Sequence, residues 1–244
     1  MRGHSPSGQA ALAGGALDWS MIDTVLLDLD GTLLDLGFDN DFWLERVPQA
    51  YAAAHGIALA EARELLAGRF RACEGTLAWY CIEHWSRELG LDVVALKRAC
   101  AERIAWLPGA REFVVRIRAA GKRLVLLTNS HPLTLAIKDE RTGVSQLVHA
   151  AFSSHDFGVP KEDPRFWRAV QHSAPFDRHR ALFVDDSPAV LGAAVASGIR
   201  FVYGIARPDS RGTPRVHEQV AAVDAVRELL DFPGLEAQGA GTHP

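Results

Sequence analysis

The chain has 244 residues, 48% of them hydrophobic, with a formal net charge of −4. That is enough apolar material for one sizeable core, or a core with a modest insertion, and it carries no Lys/Arg-rich run of the kind that marks nucleic-acid binding. An anionic substrate must therefore be held locally, by a metal ion, a few side chains and backbone amides.

In chain order, residues 1–20 are rich in Gly, Ala, Ser and Pro, as are residues 233–244. Both segments are expected to be flexible. The N-terminal stretch has one arginine and no strong apolar run, which argues against a signal peptide, and no run is long enough to span a bilayer. Cys73, Cys81 and Cys100 are too few and too scattered for a disulfide framework or a zinc site, so they are expected as free thiols in a reducing cytoplasm.

Short apolar runs ending in polar residues follow at 24–27, 123–127, 150–152, 181–184 and 199–202. Each is rich in Val, Leu or Phe, as strands buried on both faces require. Helical patterns lie between them. One covers 109–120 before Gly121, one opens at Asp163–Pro164, one opens at Ser187–Pro188 and stops at Gly198, and a last helix is expected over 221–230. Strand–helix alternation of this kind predicts an α/β fold with a doubly wound parallel sheet. Residues 36–107 break the alternation and read as consecutive helices. The first runs from Asp41, with Pro48 able to kink or divide it. Apolar stripes follow at Ala62, Leu65, Leu66, Phe70 and Cys73, at Leu77, Cys81 and Trp85, and at Val93, Leu96, Cys100, Ile104 and Leu107.

The chemistry sits at the strand ends. Asp28 and Asp30 close the first strand, and Gly31 lets the chain turn so that both carboxylates lean toward one point. Ligands of open α/β sheets bind beyond the carboxyl ends of the strands. Asp185 and Asp186 form a second acidic pair at an equivalent strand end. Acids gathered there repel unless a cation lies between them, and Mg²⁺ is the natural choice when the substrate brings a phosphate. Either pair alone is ambiguous, because Asp-rich strand ends also form turns and cap helices. Thr128 and Asn129 add hydroxyl, amide and backbone N–H groups suited to phosphate oxygens, and Lys161 supplies positive charge from a loop stiffened by Pro160.

These segments, DLDGT, TNS, the lysine of GVPKED and the acids of FVDDS, resemble in order the four motifs of the haloacid dehalogenase superfamily. The resemblance implies a Rossmann-like catalytic core over 21–35 and 108–232, with a small all-helical cap over 36–107 inserted after the first strand. It implies Asp28 as nucleophile and Asp30 as general acid/base. Mg²⁺ would be held by Asp28, the Asp30 carbonyl, Asp185 and Asp186, and the phosphoryl group by Thr128, Asn129 and Lys161. An aspartate at position 30 favours phosphatase or mutase over dehalogenase chemistry, since a halide leaves without a proton.

The longer runs DTVLLDLDGTLLDLGFDNDFWLERVP, LAWYCIEHWSRELGLD, LLTNSHPLTLAIK and FGVPKEDPRFW resemble the bacterial GMP/IMP 5′-nucleotidases of that superfamily over nearly everything but the tails. The implied reaction is hydrolysis of a purine nucleoside 5′-monophosphate through an aspartyl-phosphate. The alternatives are a phosphatase for another small ester, such as a sugar phosphate or phosphoglycolate, and a phosphomutase. The expected partner is a small phosphate ester, with no nucleic acid and no membrane. Asp39, Asn40, Phe42, Trp43 and His131 are candidates for contacting the base. Phe42 and Trp43 also read as insert core, and His131 as the start of a helix before Pro132. Trp79, Tyr80 and Trp85 carry helical spacing and read as core, and His155 as a loop residue.

Overall fold

Apolar runs with no polar face form strands that must be covered on both sides. In the computed structural model, which describes residues 17–235, they are β1 (Thr24–Leu27), β2 (Arg123–Thr128), β3 (Ala150–Ser153), β4 (Ala181–Asp185), β5 (Phe201–Ile205) and β6 (Ala221–Val223). They make one sheet in the order β3-β2-β1-β4-β5-β6, parallel throughout. The two-residue period of a strand divides the core. Val25, Leu27, Leu124, Leu126, Leu182 and Val184 point into one layer, and Leu26, Val125, Leu127 and Phe183 into the other. Helices Ala110–Ala119, Pro132–Thr142, Pro164–Ser173 and Pro188–Ala196 supply the crossovers. The expected doubly wound α/β fold is the observed one.

The register positions the site. Leu27 of β1 lies beside Leu126 of β2 and Val184 of β4. The residues immediately after β1 therefore emerge next to the ends of β2 and β4.

Several local expectations change. Residues 221–230 are not one helix. Ala221–Val223 pairs with the edge of β5, and only Val226–Asp231 coils, as a 3-10 turn. Val220 and Val223 are buried, and the β5 edge offers hydrogen bonds that outweigh the helix preference of an Ala-rich run. The helical stretch expected from Asp41 starts at Gly37. Pro48 does not divide it. The residues before it widen into a π-helical turn, Phe42–Arg46, where the Val47 amide reaches back to the Phe42 carbonyl. The stripe from Leu77 to Trp85 belongs to two helices, Leu77–Tyr80 and Ile82–Leu89, meeting at Cys81.

No strand of the sheet comes from residues 37–103. The chain leaves and re-enters the sheet region side by side, with the Asp35 amide donating to the Ala105 carbonyl at 2.9 Å and the Leu107 amide to the Leu33 carbonyl at 2.8 Å. Residues 1–16 and 236–244 lie outside the described residues, so the expected flexible segments are visible only at their inner ends, and there they are packed. Leu17 and Trp19 are buried, the Trp19 indole donates to the Leu229 carbonyl at 2.7 Å, and its amide donates to the Pro233 carbonyl at 2.8 Å.

Candidate active site

Asp28 follows β1 directly, and its amide donates to the Val184 carbonyl of β4 at 3.0 Å. The chain then turns at Gly31, whose φ of +89° favours glycine. A Cβ there would lie 2.6 Å from Asp186 Oδ2, so the turn and the second acidic pair can approach only because the side chain is missing.

The carboxylates of Asp28, Asp185 and Asp186 are all buried, with oxygens within 4.8 Å of one another. Lys161, 2% exposed, reaches this cluster from the loop after β3. Its ammonium donates to Asp28 Oδ1, to Asp185 Oδ2 at 2.7 Å and to the Leu127 carbonyl at 3.1 Å. Arg215 donates to Asp186 Oδ2 and to the Asp186 carbonyl at 3.1 Å. Burial drives the Asp28 carboxyl well above the ordinary carboxylate range. Lys161 opposes that shift, and Asp185 and Asp186 add to it. Burial, then Asp185, pushes Asp186 up to about 7. Burial works against the Lys161 charge, but Asp185 and Asp28 outweigh it and hold the ammonium protonated.

Three acids thus face two cations, and Asp28 Oδ2 is buried with no hydrogen-bond partner among the described residues. An orphaned oxygen in an all-oxygen donor set under mutual repulsion fits a hard divalent cation such as Mg²⁺.

Thr128 and Asn129 end β2 beside this cluster. The Thr128 hydroxyl accepts the Ser130 amide at 3.0 Å, which leaves its own proton to donate. Asn129 is a brace. Its carbonyl oxygen accepts the Lys161 amide at 2.9 Å, and its nitrogen donates to Glu162 at 3.1 Å. The Trp167 indole fixes the same loop through the Lys161 carbonyl at 2.9 Å.

Asp30 points away from the cluster, toward the helical insert. Ser130 Oγ donates to one of its oxygens and Lys138 to the other, both at 2.6 Å. Lys138 also donates to Asp39 at 2.6 Å, and Lys97 reaches the other Asp39 oxygen at 2.6 Å. Burial alone would raise the Asp39 carboxyl, but Lys138 and Lys97 hold it well below its ordinary value. This chain of four charges was not anticipated beyond Asp30 and Asp39, because a helical lysine reads as a solvated group. The available signal was position on a buried face. Lys138 follows Thr134 by four residues and Lys97 follows Val93 by four, and all four side chains are buried.

Beside Asp30 lies a cavity of about 260 Å³ lined by Trp43, Phe70, Trp79, Tyr80 and Trp85, with Asp39, Asn40, Lys97 and Ser130 as polar members. Trp79, Tyr80 and Trp85, expected as core, line it. Of the five residues expected to contact a base, Asp39, Asn40 and Trp43 line the cavity and Phe42 and His131 do not. Phe42 is buried beneath the Lys97 ammonium, which lies 4.7 Å from its ring centre. His131 caps the helix Pro132–Thr142, accepting the Leu133 amide on Nδ1 at 3.3 Å. Asn40 donates to Asp209 at 2.8 Å, and Tyr80 donates to Glu162 at 2.6 Å.

A model of the haloacid dehalogenase-like hydrolases matches residues 22–198, and the chain belongs to that family. It is an enzyme, a phosphatase-type hydrolase within the family. It is 41% identical over 212 residues to the GMP/IMP nucleotidase YrfG of Escherichia coli K12, covering 87% of this chain and 96% of the relative. It is 29% identical over 191 residues to a phosphoglycolate phosphatase of Mesorhizobium japonicum, covering 73% of this chain and 80% of the relative. Among solved structures, an HAD phosphatase from Thermococcus onnurineus superposes with a TM-score of 0.73 at 19% identity, covering 87% of this chain and 99% of that one. A β-phosphoglucomutase-type structure from Thermotoga maritima gives 0.63, also at 19%, covering 86% and 97%. At those identities the structural likeness is one of fold alone. No helix among the described residues is long and apolar enough to cross a membrane.

Proposed function

We propose that the protein hydrolyses purine nucleoside 5′-monophosphates, GMP and IMP, to nucleoside and phosphate in the cytoplasm. The observation that carries this reading is the aromatic cavity beside Asp30, which joins rings able to stack on a base to polar groups able to read its edge. Identity of 41% to a GMP/IMP nucleotidase supports it. A phosphoglycolate-sized ester has no ring to place against this aromatic wall.

In this reading the unpartnered Oδ2 of Asp28 attacks phosphorus, and the nucleoside leaves as its 5′-oxygen takes a proton from Asp30. Asp30 then removes a proton from the water that cleaves the acyl phosphate, which returns Asp28. Lys161 and the Thr128 hydroxyl hold the phosphoryl oxygens, and Asn129 keeps Lys161 aligned through its amide. Asp28, Asp185, Asp186 and the Asp30 carbonyl would hold Mg²⁺, which neutralises negative charge on the phosphoryl group. Residues 36–107 serve as the cap over a core of 21–35 and 108–232, and the paired crossing at Leu33–Asp35 and Ala105–Leu107 is its hinge.

A phosphate-release panel with Mg²⁺ tests the substrate. GMP and IMP are expected to turn over faster than phosphoglycolate and sugar phosphates, and the reverse order would overturn the nucleotide reading. Trp79→Ala removes one stacking face and is expected to raise KM for GMP by about tenfold, the equivalent of ~1.4 kcal/mol. The KM for p-nitrophenyl phosphate, which has no purine, should stay within about twofold.

A further inference from the structure

Outside the carboxylate cluster, three separate elements bring a thiol and two imidazoles together. Cys81 is the junction between Leu77–Tyr80 and Ile82–Leu89 in the insert, His131 caps Pro132–Thr142, and His155 lies in the turn Ser154–Phe157 after β3. One ligand-type atom from each lies within 4.8 Å of the others. The two imidazole rings are 4.7 Å apart at 78°.

Each donor is unspent. Cys81 is a free thiol whose sulfur accepts the His84 amide at 3.4 Å. His131 uses Nδ1 to cap its helix, which leaves Nε2 facing the Glu83 carboxylate at 3.7 Å. His155 Nε2 is buried with no partner among the described residues. A buried nitrogen without a hydrogen-bond partner is unfavourable, and a bound cation would satisfy it. Sulfur with two imidazoles is a borderline-soft donor set, unlike the oxygen set around Asp28, and it selects zinc-type ions over Mg²⁺.

We propose that Cys81, His131 and His155 bind one zinc-type divalent cation, with Glu83 or water completing a tetrahedron. The thiol gives its proton to solvent as the metal–sulfur bond forms. Cys81 and Glu83 come from the insert, whereas His131 and His155 come from the sheet side. The ion therefore clamps the insert to the core directly beyond Asn129 and Ser130, and its role is structural. Such a clamp would hold whichever phosphate ester is cleaved.

The test uses the full chain, stripped of metal and then supplied with excess Mg²⁺ to occupy the carboxylate site. Titration with Co²⁺ is expected to reach one equivalent with a thiolate-to-cobalt charge-transfer band, and Zn²⁺ should abolish the band. Cys81→Ser should lose it, and His155→Gln should weaken Co²⁺ binding by more than about tenfold. Cys73→Ser controls for the other thiol near an imidazole, Cys73 Sγ being 4.0 Å from His84 Nε2, and should keep the band. Absence of the band in the unaltered protein would overturn the proposal, whatever the variants do. So would a band that survives Cys81→Ser, or one lost in Cys73→Ser while that variant keeps its circular dichroism.

Discussion

Asp30 illustrates how much a single side chain depends on neighbours far away in the chain. Both its oxygens are held, by Ser130 100 positions on and by Lys138 108 positions on. That grip holds the carboxyl at the edge of the aromatic cavity, which Asp30 lines. Asp30→Asn is expected to lower kcat for GMP by ~10²–10⁴-fold. The loss should be smaller for p-nitrophenyl phosphate, whose leaving group departs without a proton, so equal losses in steady-state assays would remove the acid role. The strand-end residues Asp28, Asp30, Thr128, Lys161, Asp185 and Asp186 were legible because their types recur in one order at the ends of apolar runs. Lys97 and Lys138 were not, since nothing local distinguishes a buried lysine from a solvated one.

At the level of elements, the turn after β1 matters most. Gly31 combines a positive φ with a close approach to Asp186, so Gly31→Ala strains the backbone and displaces a carboxylate together. The variant should lose about 1–3 kcal/mol in urea unfolding. Its Mg²⁺ requirement for activity should shift to higher concentration, whereas an unchanged Mg²⁺ titration would mean that Asp186 does not help to hold the ion. The five strands expected from apolar runs all exist, the fifth shifted from 199–202 to Phe201–Ile205, because burial on both faces leaves a local signature. β6 escaped notice because Ala and Val at a sheet edge form a strand only when a neighbour offers hydrogen bonds. Similarly, no spacing rule announces that Trp79 and Trp85 line a cavity, for a ring against solvent-filled space and a ring against its neighbours share one helical period.

Across the whole molecule, buried charge joins the insert to the core. Asp39 sits between Lys97 of the insert and Lys138 of the core, and the two ammonium groups hold its pKa low despite burial. An unfolded aspartate titrates near about 3.9. Because the folded value is lower, this pair contributes its full stabilisation above that pH, and the contribution drains as pH falls through the folded value. Urea unfolding from pH 7 to pH 2 should therefore show a shallower acid loss for Asp39→Asn than for the unaltered protein. The variant should also be about 3–5 kcal/mol less stable at pH 7, where buried Lys97 loses its counter-charge and Lys138 keeps Asp30 alone. Parallel curves in the acid range would mean that Asp39 is not the coupled group.

The amino-acid sequence by itself determined the parallel sheet, the helical insert and the ordered acids, hydroxyl and lysine at the strand ends. Those features are local, since a strand, a turn or a cap is set within a few residues by burial and backbone preference. Tertiary structure alone decided which aromatic rings face a cavity, that Asp30 is tied through Lys138 and Asp39 to Lys97, and that Cys81 meets His131 and His155. These depend on how the insert settles on the sheet. Contacts between residues 58 to 108 positions apart are chosen by packing, which no periodicity along the chain encodes.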